Sequence, residues 1–195
     1  MSPPPHLVLA STSAYRKMLL ERLNIPFTTA RPDTDEAPQA NETPAALAQR
    51  LAGEKAHAVA SAYPDALIIG SDQVAYIGDR IFGKPGTEKR AIEQLRHLRG
   101  QTVIFHTALA VLNTRTGLMQ QEGIATQVRF RNLSDSEIER YVAIEKPLDC
   151  AGSAKSEGLG ITLLEALSGD DPTALIGLPL IALSRILRSQ GVALP

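Results

Sequence analysis

Apolar positions along the chain fall into two kinds of run. Short aliphatic stretches read as buried strands, and apolar residues spaced three and four apart read as helices. Leu7-Val8-Leu9-Ala10 is the first predicted strand and Phe27-Thr28-Thr29-Ala30 the second. Between them Leu19, Leu20 and Leu23 recur at helical spacing behind Ser13, a residue type that caps helix N-termini. Thr43-Pro44 opens a long helix to about Ala62, with Leu47, Leu51, Lys55, Ala58 and Ala62 near one stripe and proline in the first turn. Leu67-Ile68-Ile69 reads as a buried strand that ends at Gly70-Ser71, where the backbone can bend. That ending places Asp72 at the carboxyl edge, where open α/β sheets bind ligands. Val74–Ile77 and Arg80–Phe82 flank Gly78-Asp79 as a hairpin, whose return arm leads to Gly83-Lys84-Pro85.

The second half continues the pattern. Thr87 caps a helix through about Leu98, and Gly100 ends it. Residues 102–112 and 122–130 read as long antiparallel strands joined through 113–117. Ser134-Asp135-Ser136-Glu137 is a capping box that starts a helix to about Ile144. Residues 147–160 suit neither helix nor strand, and a long irregular loop in a compact domain is usually functional. Ile161–Leu167 reads as a strand. Asp171-Pro172-Thr173 reads as the start of the last helix, with Leu175, Leu180, Ile181, Leu183 and Leu187 inward and Pro179 dividing it. Strands alternating with helices give the α/β class.

Composition narrows the function classes. The 195 residues suit one domain, 1–195, and 44% hydrophobic with 21% charged content is ordinary for a globular chain. A net charge of -1 argues against nucleic acid as partner but permits a small phosphorylated ligand. Cys150 is the one cysteine, so no intrachain disulfide is expected, which suits a cytoplasmic chain. The first six residues carry no signal-peptide pattern, and no apolar run approaches the ~20 residues of a membrane helix.

Several residues carry candidate chemistry. Ser11-Thr12-Ser13 with Arg16 is either a phosphate cradle at a helix N-terminus with a bidentate clamp, or a capped helix with a solvated arginine. Asp33, Asp35 and Glu36 either hold a hard cation such as Mg²⁺ or form a solvated acidic turn. Lys55 either snorkels outward or serves a site. His106 reads as a strand-face residue, and Cys150, with no histidine partner in sequence, as a buried structural residue. Arg16, Lys55 and Lys84 could converge on a triphosphate with Asp72 among them. Cations there would favour its proton-accepting form. A divalent ion would offset charge on a leaving phosphate. No Gly-x-Ser-x-Gly elbow supports covalent catalysis.

Motifs in order give a specific resemblance. Leu9-Ala10-Ser11-Thr12-Ser13-Ala14-Tyr15-Arg16, Asp35-Glu36, Ala52-Gly53-Glu54-Lys55-Ala56, Ile69-Gly70-Ser71-Asp72-Gln73, Gly83-Lys84-Pro85, Ala151-Gly152, Glu157-Gly158-Leu159-Gly160 and Gly177-Leu178-Pro179 resemble the Maf family of nucleotide pyrophosphatases. The resemblance implies a Maf/Ham1-type (ITPase-like) α/β fold, a mixed twisted sheet flanked by helices, with two lobes around a central cleft. It implies cleavage of a nucleoside triphosphate to the monophosphate and diphosphate with a divalent metal (Mg²⁺, Mn²⁺ or Co²⁺), and a homodimer. It makes Asp72 the proton acceptor, with Arg16, Lys55 and Lys84 catalytic, Ser11 substrate-binding and Glu36 the metal contact. Tyr15, Gln73 and Glu157 resemble the selectivity positions of the 7-methyl-GTP subfamily, with tyrosine where tryptophan is often seen. A cationic 7-methylguanine suits an aromatic face, and its N1–H and N2 amine suit a carboxylate. The competing readings are a dTTP/UTP pyrophosphatase with the same catalytic set, and a non-catalytic nucleotide-binding regulator of septum formation.

Overall fold

A computed structural model describes residues 5–195; residues 1–4, the start of the stretch read for targeting, lie outside the described residues. The elements in order are β1 (His6–Ala10), α1 (Ala14–Glu21), β2 (Phe27–Ala30), α2 (Pro44–Ala58), β3 (Ala66–Ile77), β4 (Arg80–Ile81), α3 (Glu88–Leu98), β5 (Thr102–Asn113), β6 (Met119–Phe130), α4 (Asp135–Glu145), β7 (Leu164–Ser168) and α5 (Leu180–Ser189). The strands join in the order β2-β1-β3-β5-β6-β7, with β4 paired to β3. The sheet is mixed: β1 runs parallel to β2 and β3, whereas β4 and β7 pair antiparallel.

The chain divides into two compact units. The first holds the described residues up to Asp72, then Thr107–Ile124 and the chain from Asp171 onward. Here the period-two alternation of the strands sorts side chains to two faces. Leu7, Leu9, Leu67, Ile69 and Leu109 pack with Leu19 and Leu20 of α1 and Leu183 and Leu187 of α5. Val8, Ala10, Ala66, Ile68 and Leu112 pack with Ala56 of α2. Helices therefore cover both faces, as parallel strands require. Each fully buried leucine among them contributes roughly 1.5–3 kcal/mol. Among the described residues, no helix is long and apolar enough to cross a membrane.

The second unit comprises Gln73–His106 and Ala125–Asp170. Its α3 packs on α4. The β3–β4 hairpin pairs Tyr76 with Ile81, and β7 pairs Val128 of β6 with Leu167. Capping residues sit where the sequence indicates: Ser13, Thr43, Thr87 and Ser134 each accept a backbone N–H of the first turn.

Several boundaries differ from expectation. β3 does not end at Gly70 but runs on through Asp72 to Ile77. Gly70 is needed for space instead: a Cβ there would lie 2.1 Å from the Ala52 carbonyl oxygen of α2. α2 stops at Ala58, followed by a 3-10 turn over Ala60–Ala62. β6 begins at Met119, earlier than expected. The predicted strand Ile161–Leu167 is shorter at its start, because Leu159–Leu163 forms a 3-10 turn before β7. The last helix starts at Leu180, not at Asp171. Asp171 is nevertheless its cap, since Oδ2 accepts the backbone N–H of Ile181 at 2.7 Å and of Ala182 at 3.4 Å.

Candidate active site

Five of the sequence-selected residues come together in the first unit. α2 approaches β3 through small residues, Ala52 and Ala56, which face Gly70. That close packing carries Lys55 inward: the residue is only 6% exposed, so it does not snorkel. Its Nζ lies 2.6 Å from Asp72 Oδ1 and 2.6 Å from Glu36 Oε1. Asp72 is 8% exposed, whereas the Glu36 side chain is 58% exposed on its loop. A buried ammonium needs paired anions, and these two carboxylates supply them.

Asp72 also gains a different address from the one expected. It is not at the end of its own strand. The parallel pairing of β1 with β3 reaches Leu9 and Ile69, and β1 ends at Ala10. Asp72 thus lies just beyond the carboxyl end of the neighbouring parallel strand, so the crevice rule for α/β sheets applies through β1.

The same end of β1 opens into the Ser11–Ser13 loop. Ser11 Oγ accepts the Ser13 N–H at 3.1 Å and Arg16 Nη1 at 3.4 Å. Arg16 Nε donates to the Gly177 carbonyl at 2.9 Å. Burial pushes the Arg16 pKa down, and the negative charges of Asp72 and Glu36 oppose that shift. Tyr15 is half-buried, one position before it on α1.

Residues that the sequence reading did not place at the site hold this arrangement. The Ser71 hydroxyl, fully buried, lies 2.8 Å from the Ala108 carbonyl oxygen and 3.0 Å from that of Gly177. Thr107 donates to the Ala174 carbonyl at 2.8 Å. Asp171, 2% exposed, accepts from both the N–H and the hydroxyl of Thr173 and caps α5 as described above. These groups fix the turn that presents the Gly177 carbonyl to Arg16. Gly177 has φ +123, a backbone conformation that L side chains rarely adopt. The sequence signal was Gly177-Leu178-Pro179, a motif that could be seen but not given a partner.

Gln73, Lys84 and Glu157 belong to the second unit. Gln73 is half-buried on β3. Lys84 lines a cavity of about 300 Å³ with Arg80, Arg90, Glu93 and His97. Its loop is fixed by Gln94, whose amide donates to the Gly83 carbonyl at 3.0 Å and accepts from the Ser153 hydroxyl at 2.6 Å. Glu157 is exposed on a turn between two 3-10 segments. His106 is half-buried with Nε2 unpaired among the described residues, and burial pushes its pKa down.

In the acidic turn, Asp35 accepts the Ala37 N–H at 3.0 Å while Glu36 turns to Lys55. Among the described residues no three His, Cys, Asp or Glu side chains group as a metal site. Cys150 is half-buried rather than buried, with its thiol donating to Asp149 Oδ1 at 3.5 Å.

Comparison with known proteins decides the family. The model of the Maf-like protein family matches residues 6–190. This chain belongs to the Maf family. It is 68% identical over 97% of its length to a protein of Aromatoleum aromaticum named 7-methyl-GTP pyrophosphatase, and covers 97% of that protein. A protein of the same name from a Polaromonas species is 57% identical over 96% of this chain and 86% of its own length. One from Cupriavidus metallidurans is 57% identical over 96% of this chain and 94% of its own.

Proposed function

We propose that this chain, working as one Maf-like domain, hydrolyses 7-methyl-GTP to 7-methyl-GMP and diphosphate, with Asp72 as general base. The observation that carries the reaction type is the Lys55 ammonium bridging Asp72 and Glu36 beside Arg16 and the Ser11–Ser13 loop. The names of the relatives support the choice of nucleotide.

In this reading Lys55 holds Oδ1 of Asp72, and Oδ2 takes the proton from water. The water oxygen forms a bond to the α-phosphorus, and the bond from that phosphorus to the bridging oxygen breaks. Diphosphate leaves with the bridging oxygen and its electron pair. Arg16 and the N–H groups at the start of α1 hold phosphate oxygens. Lys84 supplies a further cation, an assignment that rests on the Gly83-Lys84-Pro85 motif. Glu157 reads the guanine edge, Tyr15 stacks on the cationic base and Gln73 adds a polar contact.

The donor set fits a divalent cation. Two carboxylates, Glu36 and Asp72, already place oxygens around one positive group. A small hard ion is commonly held by one or two carboxylates, with phosphate oxygens and water completing its shell. Glu36 would be the principal protein ligand, and the bound ion would offset negative charge on the phosphates. The same reading describes a cytoplasmic homodimer, and sedimentation velocity checks the stoichiometry.

The test is diphosphate release from 7-methyl-GTP, GTP, dTTP and UTP with Mg²⁺, Mn²⁺ or Co²⁺, for wild type and Asp72→Asn. Selective turnover of 7-methyl-GTP that Asp72→Asn abolishes is the expected result. A preference for dTTP or UTP would refute the base assignment and keep the chemistry. Nucleotide binding without turnover by wild type would overturn both.

A further inference from the structure

The turn that carries Glu157 is held by α4 at three points. The Tyr141 hydroxyl accepts the Lys155 N–H at 3.1 Å. Glu145 Oε2 accepts the Leu159 N–H at 2.7 Å. Glu145 Oε1 pairs with Lys155 Nζ at 2.9 Å. The anchors fall on both sides of Glu157, whose side chain remains exposed. The Ser156 hydroxyl donates to Glu157 Oε2 at 3.4 Å.

The glycines of the motif explain themselves through this clasp. A Cβ on Gly158 would lie 2.7 Å from Glu145 Oε2. One on Gly160 would lie 2.5 Å from the Lys155 carbonyl oxygen. Both glycines therefore permit backbone approach to Glu145 and Lys155.

Glu145 is poorly placed for its own helix. It is the last residue of α4, at the negative end of the helix dipole, and that last turn carries no basic residue. The side chain is nonetheless only 14% exposed. Lys155 and the Leu159 N–H hold its carboxyl below the usual range. The position makes sense as a clamp on the loop rather than as a helix residue.

We propose that Glu145 is a positioning residue for base selectivity. It fixes residues 155–159 so that the Glu157 carboxylate meets the substrate base in one orientation. This rests on the assignment of Glu157 to the guanine edge made above. Recognition groups must be held to a fraction of an ångström, so slack in the turn weakens discrimination more than turnover.

The experiment compares wild type, Glu157→Gln, Glu145→Gln and Glu145→Ala. The readouts are kcat/KM for 7-methyl-GTP and for UTP, and hydrogen exchange across 153–160. Glu145→Gln keeps an acceptor for the Leu159 N–H but loses the ion pair; Glu145→Ala loses both. Glu145→Ala is expected to lower the 7-methyl-GTP to UTP ratio about tenfold, through KM for 7-methyl-GTP. UTP turnover should stay within about twofold, with faster exchange at Leu159 and Glu145→Gln in between. A merely structural role would lower both substrates alike, and that result overturns the proposal. If Glu157→Gln changes the ratio while neither Glu145 variant does, the clamp proposal falls and the Glu157 assignment stands. If Glu157→Gln leaves the ratio unchanged, the Glu157 assignment fails and takes this proposal with it.

Discussion

Gly70→Ala tests how α2 delivers Lys55. The added Cβ would stand 2.1 Å from the Ala52 carbonyl oxygen and 3.0 Å from the Ala56 nitrogen. Both atoms belong to helix backbone, so no side-chain rotation relieves the contact. The helix must retreat from β3 by about 1 Å at the turn between Ala52 and Ala56. Lys55 sits on that turn, and its 2.6 Å contact with Asp72 must lengthen or re-aim. Overpacking against rigid backbone costs about 3 kcal/mol. Loss of glycine's freedom in the unfolded chain returns about 0.5–1 kcal/mol. The net of about 2 kcal/mol lowers Tm by about 4–8 °C for a chain of this size. A misplacement of about 1 Å lowers turnover by about 100-fold. Thermal unfolding and diphosphate release measure the two effects, and Ala52→Gly in the same chain should rescue neither, because the clash is with backbone. A Tm within about 1 °C of wild type and activity within about twofold would refute the close approach of helix and strand.

Asp171→Ala leaves the N–H groups of Ile181, buried Ala182 and Thr173 without their acceptor and should cost about 3 kcal/mol in denaturant unfolding; a loss under about 1 kcal/mol would contradict the capping role. Glu36→Gln removes one of the two carboxylates on Lys55. Nucleotide binding in chelator, followed by calorimetry, should tighten about threefold, a modest gain because the side chain is mostly exposed, while metal-dependent turnover falls. Acid lability should follow Glu137 and Glu42. The Ser134 N–H and Arg131 hold Glu137, and Arg50 and the Gln39 N–H hold Glu42, each near about 2 against an ordinary 4.5. The stability these groups contribute is fully present above pH 4.5 and is lost as pH falls toward about 2. Glu137→Gln should flatten the stability profile across that window, and an unchanged slope in a urea titration series would count against the assignment.

Local features of the fold were legible; features that act across space were not. Ser13, Thr43, Thr87 and Ser134 announce helix starts because a cap and its partner lie within one turn. Asp171 looks like the same signal, yet it caps a helix that begins beyond Pro179, and no spacing rule reveals that detour. Gly70 invited a reading of bend, although its purpose is room for a helix distant in sequence. Periodicity placed Lys55 on the apolar face of α2 without naming its anions, which come from a loop before the helix and a strand after it. Motif resemblance located Ser11, Arg16, Glu36, Lys55 and Asp72, and the structure gathers all five in one unit. The motifs contained Ser71 and Gly177 but gave no sign that Ser71 and Arg16 meet at the Gly177 carbonyl.

Charge explains why the cluster is built around a bridged lysine. Arg16 and Lys55 are cations, Glu36 and Asp72 are anions, and the four cancel formally. A buried ammonium could not be kept without its partners. The four-residue cluster by itself therefore offers an incoming triphosphate little net attraction beyond the N–H groups and dipole at the start of α1. In the proposed function, a divalent cation held by Glu36 would restore the missing positive charge. A protein that had only to bind nucleotide would gain affinity by losing Glu36. Catalysis gains nothing from holding substrate and product equally tightly, and diphosphate, which keeps most of the substrate's charge, must depart after every turnover. Glu36 thus fits an enzyme better than a nucleotide-holding regulator: it pairs with Lys55 and, in the proposed function, would make strong phosphate binding conditional on a divalent ion.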